Sequence, residues 1–184
     1  MKKLDNQIFQ DRRKSFLSKL DGKAAIIPGA KLVQHHADCE YPFRQESNFW
    51  YLTGFDEPDA IALFLSHKPI GERYILFVHP KDIESEVWNG FRWGTNGAEK
   101  VFKADKSHPI SDFEKELPNY LMGADEIVFS VGKYPEIEPI VLNLWAKQID
   151  NYSRIGRAPR AIKPPGIYLN QMRLIKSQYE IERM

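Results

Sequence analysis

One cysteine, Cys39, in 184 residues leaves no partner for an intramolecular disulfide and excludes a zinc site built on several thiolates. Charge of one sign is missing too. Lys and Arg number 26 against 25 Asp and Glu, a formal net charge of +1, so no long-range field draws the chain to nucleic acid or to an anionic membrane. No apolar run approaches the roughly 18 residues that a spanning helix needs. The charged start, Met1-Lys2-Lys3-Leu4-Asp5-Asn6-Gln7, has no apolar stretch behind it of the kind a signal peptide carries. These absences point to a soluble protein of a reducing compartment, most simply the cytoplasm, with neither nucleic acid nor membrane as partner. There is also no internal repeat, no glycine-rich phosphate loop, no nucleophile elbow with its Ser, His and Asp, and no Cys-His dyad.

What is present suits a packed core. Hydrophobic residues make up 42% of the chain, with 11 Phe, 8 Tyr and 4 Trp, and the length fits one domain. Apolar residues at helical spacing predict a helix over 7–20, with Asp5 or Asn6 as N-cap and Gly22 as its stop. A buried strand follows at 24–27, ended by Pro28-Gly29, with a further extended stretch at 31–35. Residues 49–53, Phe-Trp-Tyr-Leu-Thr, are strong β-formers and predict a strand stopped by Gly54. The apolar runs 60–65 and 74–78 flank turn chemistry at 66–72 and predict an antiparallel hairpin. Polar and aromatic residues with three glycines make 81–103 an irregular loop.

The second half predicts a helix over 111–121 capped by Ser111 and a strand over 126–131. Beyond it come an amphipathic helix over 135–148, an extended linker over 157–166 and a short helix over 168–175. Ser177 followed three residues later by Glu180 is a capping-box pattern that starts one more helix. The chain stops two turns into it, which reads as a truncation. The fold class is α/β.

Residues that could carry chemistry are few. His35, His36 and Asp38 invite a metal, but adjacent histidines on a strand point to opposite sides and no further ligand falls at a suitable spacing. Asp82, Glu84 and Glu86 read as a solvated acidic loop, and Arg12-Arg13-Lys14 as a solvated helix face. Cys39 reads as a small core residue. Taken alone, the residues assemble no complete active site.

A longer string is more specific. Residues 38–60, Asp-Cys-Glu-Tyr-Pro-Phe-Arg-Gln-Glu-Ser-Asn-Phe-Trp-Tyr-Leu-Thr-Gly-Phe-Asp-Glu-Pro-Asp-Ala, closely resemble the signature of the N-terminal domain of Xaa-Pro aminopeptidases. That signature has a Tyr-Pro-aromatic-Arg-Gln start, a Ser-x-Phe-x-Tyr segment and Thr-Gly-Phe-x-Glu-Pro. Residues 82–94, with Glu86-Val87-Trp88-Asn89-Gly90, resemble the family's loop about an exposed tryptophan. Residues 172–177 with Glu180-Ile181 resemble the junction at which its catalytic domain begins. The likeness runs from about Phe9 to Met184. Physical roles stand beside it: Gly54 permits a tight turn, Glu57-Pro58 stiffens the approach to the next strand, and Arg44 and Gln45 are forked donors suited to pinning a loop. Most of the string (Tyr41, Pro42, Arg44, Gln45, Ser47, Tyr51, Gly54, Phe55, Glu57, Pro58) then holds the fold rather than touching substrate.

The resemblance implies an α/β domain over residues 1–175, with a mixed sheet of about six strands flanked by helices. Residues 176–184 would begin the first helix of a catalytic domain of pita-bread fold. That second domain would hold two divalent metals, usually manganese, on two Asp, two Glu and one His, and cleave the bond between an N-terminal residue and a following proline. None of those ligands, and no catalytic or metal residue, is assigned to this fragment. The implied partners are its own catalytic domain, neighbouring subunits of a homodimer or homotetramer, and a peptide with proline in second position. Trp88, Asp38 and Arg154 match family positions at the active-site entrance of a neighbouring subunit. Against that stand an intrasubunit aromatic for Trp88, a strand-end cap for Asp38 and a plain surface charge for Arg154. Two other readings remain: the N-terminal domain of a prolidase-type dipeptidase, and a protein- or peptide-binding domain of a catalytically dead relative.

Overall fold

A computed structural model describes residues 6–82, 90–151, 154 and 156–182. Three strands form the centre of one sheet: β1 (Ala24–Pro28), β4 (Ile61–Leu65) and β5 (Tyr74–Val78). All fifteen of their residues are buried, without polar alternation, because layers cover both faces of the sheet. β4 pairs antiparallel with β1, from Ala24↔Leu65 to Pro28↔Ile61, and with β5, from Ile61↔Phe77 to Phe64↔Tyr74. β6 (Lys106–Pro109) lies parallel to β5, β7 (Ile127–Val128) parallel to β1, and β8 (Ile162–Lys163) parallel to β7. The order is β6-β5-β4-β1-β7-β8. Five strands therefore point one way and β4 alone opposes them. A separate two-stranded hairpin, β2 (Gln34–His36) with β3 (Cys39–Glu40), interrupts the chain after β1.

Strand residues alternate between two cores. Ala25, Ile27, Ala62, Phe64, Leu76 and Val78 face one side. They meet α1 (Asn6–Leu20), α2 (Ser47–Thr53), α3 (Gly94–Lys100) and α6 (Gly166–Leu174) through Phe16, Leu20, Phe49, Leu52, Ala98 and Leu169. Ala24, Ile26, Leu63, Leu65, Ile75 and Phe77 face the other side. There they meet Phe113, Leu117 and Leu121 of α4 (Phe113–Leu121) and Val141 of α5 (Glu138–Asp150). Each large apolar side chain so buried contributes about 1.5–3 kcal/mol.

The expected class, a mixed six-stranded sheet between helices, is what the chain adopts, with the 60–78 hairpin at its centre. Several elements differ from expectation. Residues 49–53 are no strand but the body of α2. Glu46 stands at the N-cap and accepts from the Asn48 and Phe49 amides at 2.7 and 2.9 Å, and Gly54 closes the helix in the left-handed region at φ 66. Phe49, Leu52 and Thr53, spaced three and four apart, face the core together. A helix face buries them and a two-sided strand would not, so position overrides β-propensity.

Ser111 caps nothing: a 3-10 turn, Ile110–Asp112, precedes α4, and the N-cap position belongs to Asp112 without a side-chain cap bond. The strand expected over 126–131 shrinks to Ile127–Val128. The expected linker over 157–166 supplies β8 instead: the amides of Ile127 and Phe129 donate to the carbonyls of Ala161 and Lys163, both at 2.9 Å. Pro159, Pro164 and Pro165 flank this edge strand and leave its paired residues free, the arrangement an edge tolerates. The C-terminal capping box is present and opens α7 (Gln178–Ile181).

Candidate functional site

Topology decides which segments share an end of the molecule. Because β1, β5, β6, β7 and β8 run the same way, the chain leaves all five at one end of the sheet. After β1 comes the β2–β3 hairpin, and after β5 the segment from His79 toward position 88. Asp38 and the loop containing Trp88 thus start from the same end, although Trp88, with Glu84 and Glu86, lies outside the described residues. Arg154 follows α5, which returns from the end of β7 to the start of β8, and so belongs to the opposite end. It is exposed, and its amide donates to Asn151. One subunit does not bring Asp38 and Arg154 together.

Asp38 occupies the hairpin tip, next to Ala37 at φ 45. Every residue from 31 to 42 is exposed, Asp38, Cys39, Tyr41 and Pro42 included. Cys39 is therefore not the small core residue expected: the hairpin stands off the sheet and has no layer to bury it, and its thiol lies 3.9 Å from the Asp38 carboxylate. His35 and His36 are exposed as well, and His35 packs edge-on against the Tyr41 ring at 4.5 Å. The hairpin presents an acid, a thiol, two imidazoles and a phenol to solvent.

Much of the rest of the signature turns inward. Gln45 makes four hydrogen bonds: its oxygen accepts from the Ala30 and Glu46 amides at 2.7 and 2.8 Å, and its nitrogen donates to the Phe55 and Glu57 carbonyls at 3.2 and 2.8 Å. One side chain thereby ties the exit from β1 to the approach to β4. Gly29 leaves room beside it, since a Cβ there would lie 3.0 Å from the Gln45 oxygen and 3.1 Å from the Ala60 carbonyl, a tight fit that one of them would have to relieve. Glu57 is buried and accepts from the Trp93 amide at 2.6 Å, which fixes the start of α3. Gly54, Phe55 and Pro58 are buried, and Ser47 opens α2 from the surface. Of the two forked donors expected to pin the loop, only Gln45 does so. Arg44 is exposed and makes no hydrogen bond to a described residue, because its side chain leaves the body just before α2 begins.

Arg12 and Arg13 were expected on a solvated face, and the helix phase overturns this. Phe9, Arg13, Phe16 and Leu20 recur at four, three and four residues and form the buried stripe of α1. Arg13 donates to the Leu52 carbonyl at 3.0 Å and lies 4.3 Å from the Tyr74 ring; burial lowers its pKa and raises that of the Tyr74 phenol. Arg12 stacks 4.1 Å from the Tyr51 ring, donates to the Tyr51 carbonyl at 3.3 Å and pairs with Glu180 at 3.3 Å.

Partial burial would raise the Glu180 carboxyl, but the Ser177 amide and hydroxyl and Arg12 outweigh it and hold the group below its usual range. The Tyr51 hydroxyl donates to the Met172 carbonyl at 3.1 Å, and Arg173 donates to the Asn48 side chain at 2.6 Å. The C-terminal segment is thus latched onto α1 and α2. A groove of about 720 Å³ opens between them, lined by Phe9, Phe43, Arg44, Trp50 and Tyr179, with Leu174, Ile175 and Ile181 exposed nearby. Spacing around Arg13 was the available signal for the buried arginine; nothing local announces the partners of Arg12.

Among the described residues no three His, Cys, Asp or Glu side chains gather as a metal site, and no described helix is long and apolar enough to cross a membrane. The described side chains offer architecture, a solvated hairpin and concave surfaces rather than a nucleophile with its base.

Comparison with known proteins gives this geometry its context. A family model described as "Aminopeptidase P, N-terminal domain" matches residues 9–129. The Xaa-Pro aminopeptidase of Escherichia coli K12 is 32% identical over 182 residues, covering 98% of this chain and 41% of that protein. Its Haemophilus influenzae counterpart is 34% identical over 185 residues, covering 100% and 40%. Aminopeptidase PepP of Pseudomonas aeruginosa superposes with a TM-score of 0.89 at 30% identity, covering 99% of this chain and 41% of that one. Proline aminopeptidase P II of Yersinia pestis superposes with a TM-score of 0.87 at 33% identity, covering 97% and 41%. The chain spans about two fifths of the length of these relatives.

Proposed function

This chain belongs to the family of aminopeptidase P N-terminal domains, and from that premise we propose that it is the non-catalytic part of an Xaa-Pro aminopeptidase. The whole enzyme would release the N-terminal residue that precedes a proline. The observation that carries the reading is the coverage: nearly all of this chain aligns with Xaa-Pro aminopeptidases while leaving about three fifths of each of them unmatched.

In this reading the latched segment after α6 leads into the catalytic domain, and the groove beside it, with exposed Leu174, Ile175 and Ile181, is where that domain packs. Two divalent metals, manganese for preference, belong to that domain. The described residues of this chain do not fit them, since no three candidate ligands converge. The end of the sheet that bears Asp38 and the Trp88 loop faces a neighbouring subunit of a homodimer or homotetramer and narrows its active-site mouth, favouring peptides with a free N-terminus. A cytoplasmic location completes the proposal.

The test is a pair of assays on an Xaa-Pro peptide with manganese supplied. The 184-residue chain should show no turnover and retain no stoichiometric metal after dialysis, while the full-length parent should be active. Turnover by the short chain that survives repurification would overturn the division of labour.

A further inference from the structure

The end of the sheet that carries the Asp38 hairpin also holds a crevice of about 550 Å³, set between the N-terminal turns of α4 and α5. That volume lies within the range of small-ligand sites, about 300–1,000 Å³, and crevices outside the carboxyl ends of strands are where α/β sheets bind ligands. Its floor is apolar. Ile61 and Phe113 are buried there, while Ile110, Ile137 and Ile140 are half-buried and turn the rest of their surface into the space. The wall includes residues 29–31, where the chain leaves β1 for the hairpin.

The rim is charged, and unequally. Glu46, Asp59, Glu114 and Glu136 stand against Lys31 and Lys133, an excess of two negative charges. Lys31 is shared between Glu136 and Asp59, the latter at 4.0 Å, and Lys133 pairs with Glu46 at 2.9 Å, whose other oxygen caps α2. Glu114 is exposed and has no ion pair with a described residue. His79, 3.6 Å from Asp59, offsets the excess only when protonated. An apolar hollow with surplus carboxylates at its mouth is complementary to a ligand that joins an apolar body to a cation.

We propose that this crevice binds a stretch of peptide in which an apolar side chain lies beside a lysine or arginine, the apolar group on the isoleucine floor and the cation at Glu114 and Glu136. The choice of a peptide over a small amine rests on the peptidase reading above, for which the crevice would be an outer subsite gripping the later residues of a long substrate. The pairing of apolar body with cation rests on the crevice alone.

The experiment uses this 184-residue chain, isoleucine-methyl labelled, titrated at low ionic strength with capped tetrapeptides. Acetyl-Ala-Leu-Arg-Ala-amide should shift the methyls of Ile110, Ile137 and Ile140 saturably. Acetyl-Ala-Leu-Glu-Ala-amide should bind at least about tenfold more weakly, and isobutylguanidine more weakly than the arginine peptide. Glu114→Gln with Glu136→Gln, both at exposed positions, should narrow the gap between the two peptides, and Ile137→Ser should abolish binding while the thermal melt stays cooperative. No saturable shift, shifts centred elsewhere, or equal affinities for the two peptides would overturn the proposal. Equal binding of isobutylguanidine would overturn the peptide as its ligand. None of these outcomes bears on Xaa-Pro cleavage by the full-length parent, so the two readings fail separately.

Discussion

The inner part of the signature string and the hairpin that leads into it have opposite physical characters. Residues 45–58 are drawn into the body: Gln45 with four hydrogen bonds, Phe49, Leu52 and Phe55 in the core, Glu57 buried on the Trp93 amide. Residues 34–41 are wholly exposed, with a short ladder and two ring contacts, His35 with His36 and with Tyr41, to hold them. A buried polar knot constrains its residues through the cost of leaving groups unpaired. An exposed hairpin has no such cost. Its side chains stay open to solvent, and it is the half to test for contact with a partner.

The sharpest way to break this contrast is at Gln45. Gln45→Ala strips partners from two amides and two carbonyls in a part-buried place and should cost about 3 kcal/mol. That is a fall of roughly 6–12 °C in melting temperature for a domain of this size. Gln45→Glu, which keeps the acceptor for Ala30 and Glu46 but loses the donor to Phe55 and Glu57, should fall between. A calorimetric melt within 2 °C or so of the parent chain for Gln45→Ala would erase the distinction between the two stretches.

A smaller effect is expected at Tyr51, where the inward stretch reaches the C-terminal segment. Tyr51→Phe keeps the ring under Arg12 and deletes the hydroxyl that bonds the Met172 carbonyl and interacts with the Arg12 side chain. The loss should be about 1 kcal/mol, and hydrogen exchange should show it as faster exchange in residues 172–182 with α1 unchanged. Uniform acceleration across the domain would mean that the latch is part of the global core and not a local tie.

Much of the fold was legible before any coordinates. The runs 24–27, 60–65 and 74–78 read as strands from their apolar content, and the turn residues between the last two point to their antiparallel pairing. What failed was local propensity against position. Phe49 to Thr53 look like a strand because aromatics favour sheets, yet the cap at Glu46 and the left-handed Gly54 make them a helix. Two edge strands, β6 and β8, are only four and two residues long and owe their form to backbone pairing with β5 and β7, which leaves no periodicity to read. Of the site, Gln45 was legible by type, since a forked amide in a loop between strands has few uses other than bridging. Arg13 was legible by phase and was misread by charge. The crevice was not legible: its floor comes from residues 61, 110, 113, 137 and 140, which only the sheet order brings together.

The smallest effect on stability is expected at Asp38, and it decides what the outward stretch is for. Its carboxylate sits at an exposed tip, and its one described contact is the Cys39 thiol at 3.9 Å. Asp38→Ala should therefore move the stability of the 184-residue chain by no more than about 0.5 kcal/mol. In the full-length parent the same change should lower kcat/KM for longer Xaa-Pro peptides by about tenfold, close to 1.4 kcal/mol of lost transition-state stabilisation. Metal content should be unaltered, because the hairpin would act on a neighbouring subunit's substrate. Asp38→Asn separates charge from shape. If the asparagine variant behaves as the alanine one, the negative charge is what the peptide meets, as a free N-terminal amine would require. If asparagine restores activity, a hydrogen bond suffices. A loss of more than about 1 kcal/mol in the isolated chain would instead make Asp38 a structural cap of its own hairpin, and the two stretches would no longer differ in kind.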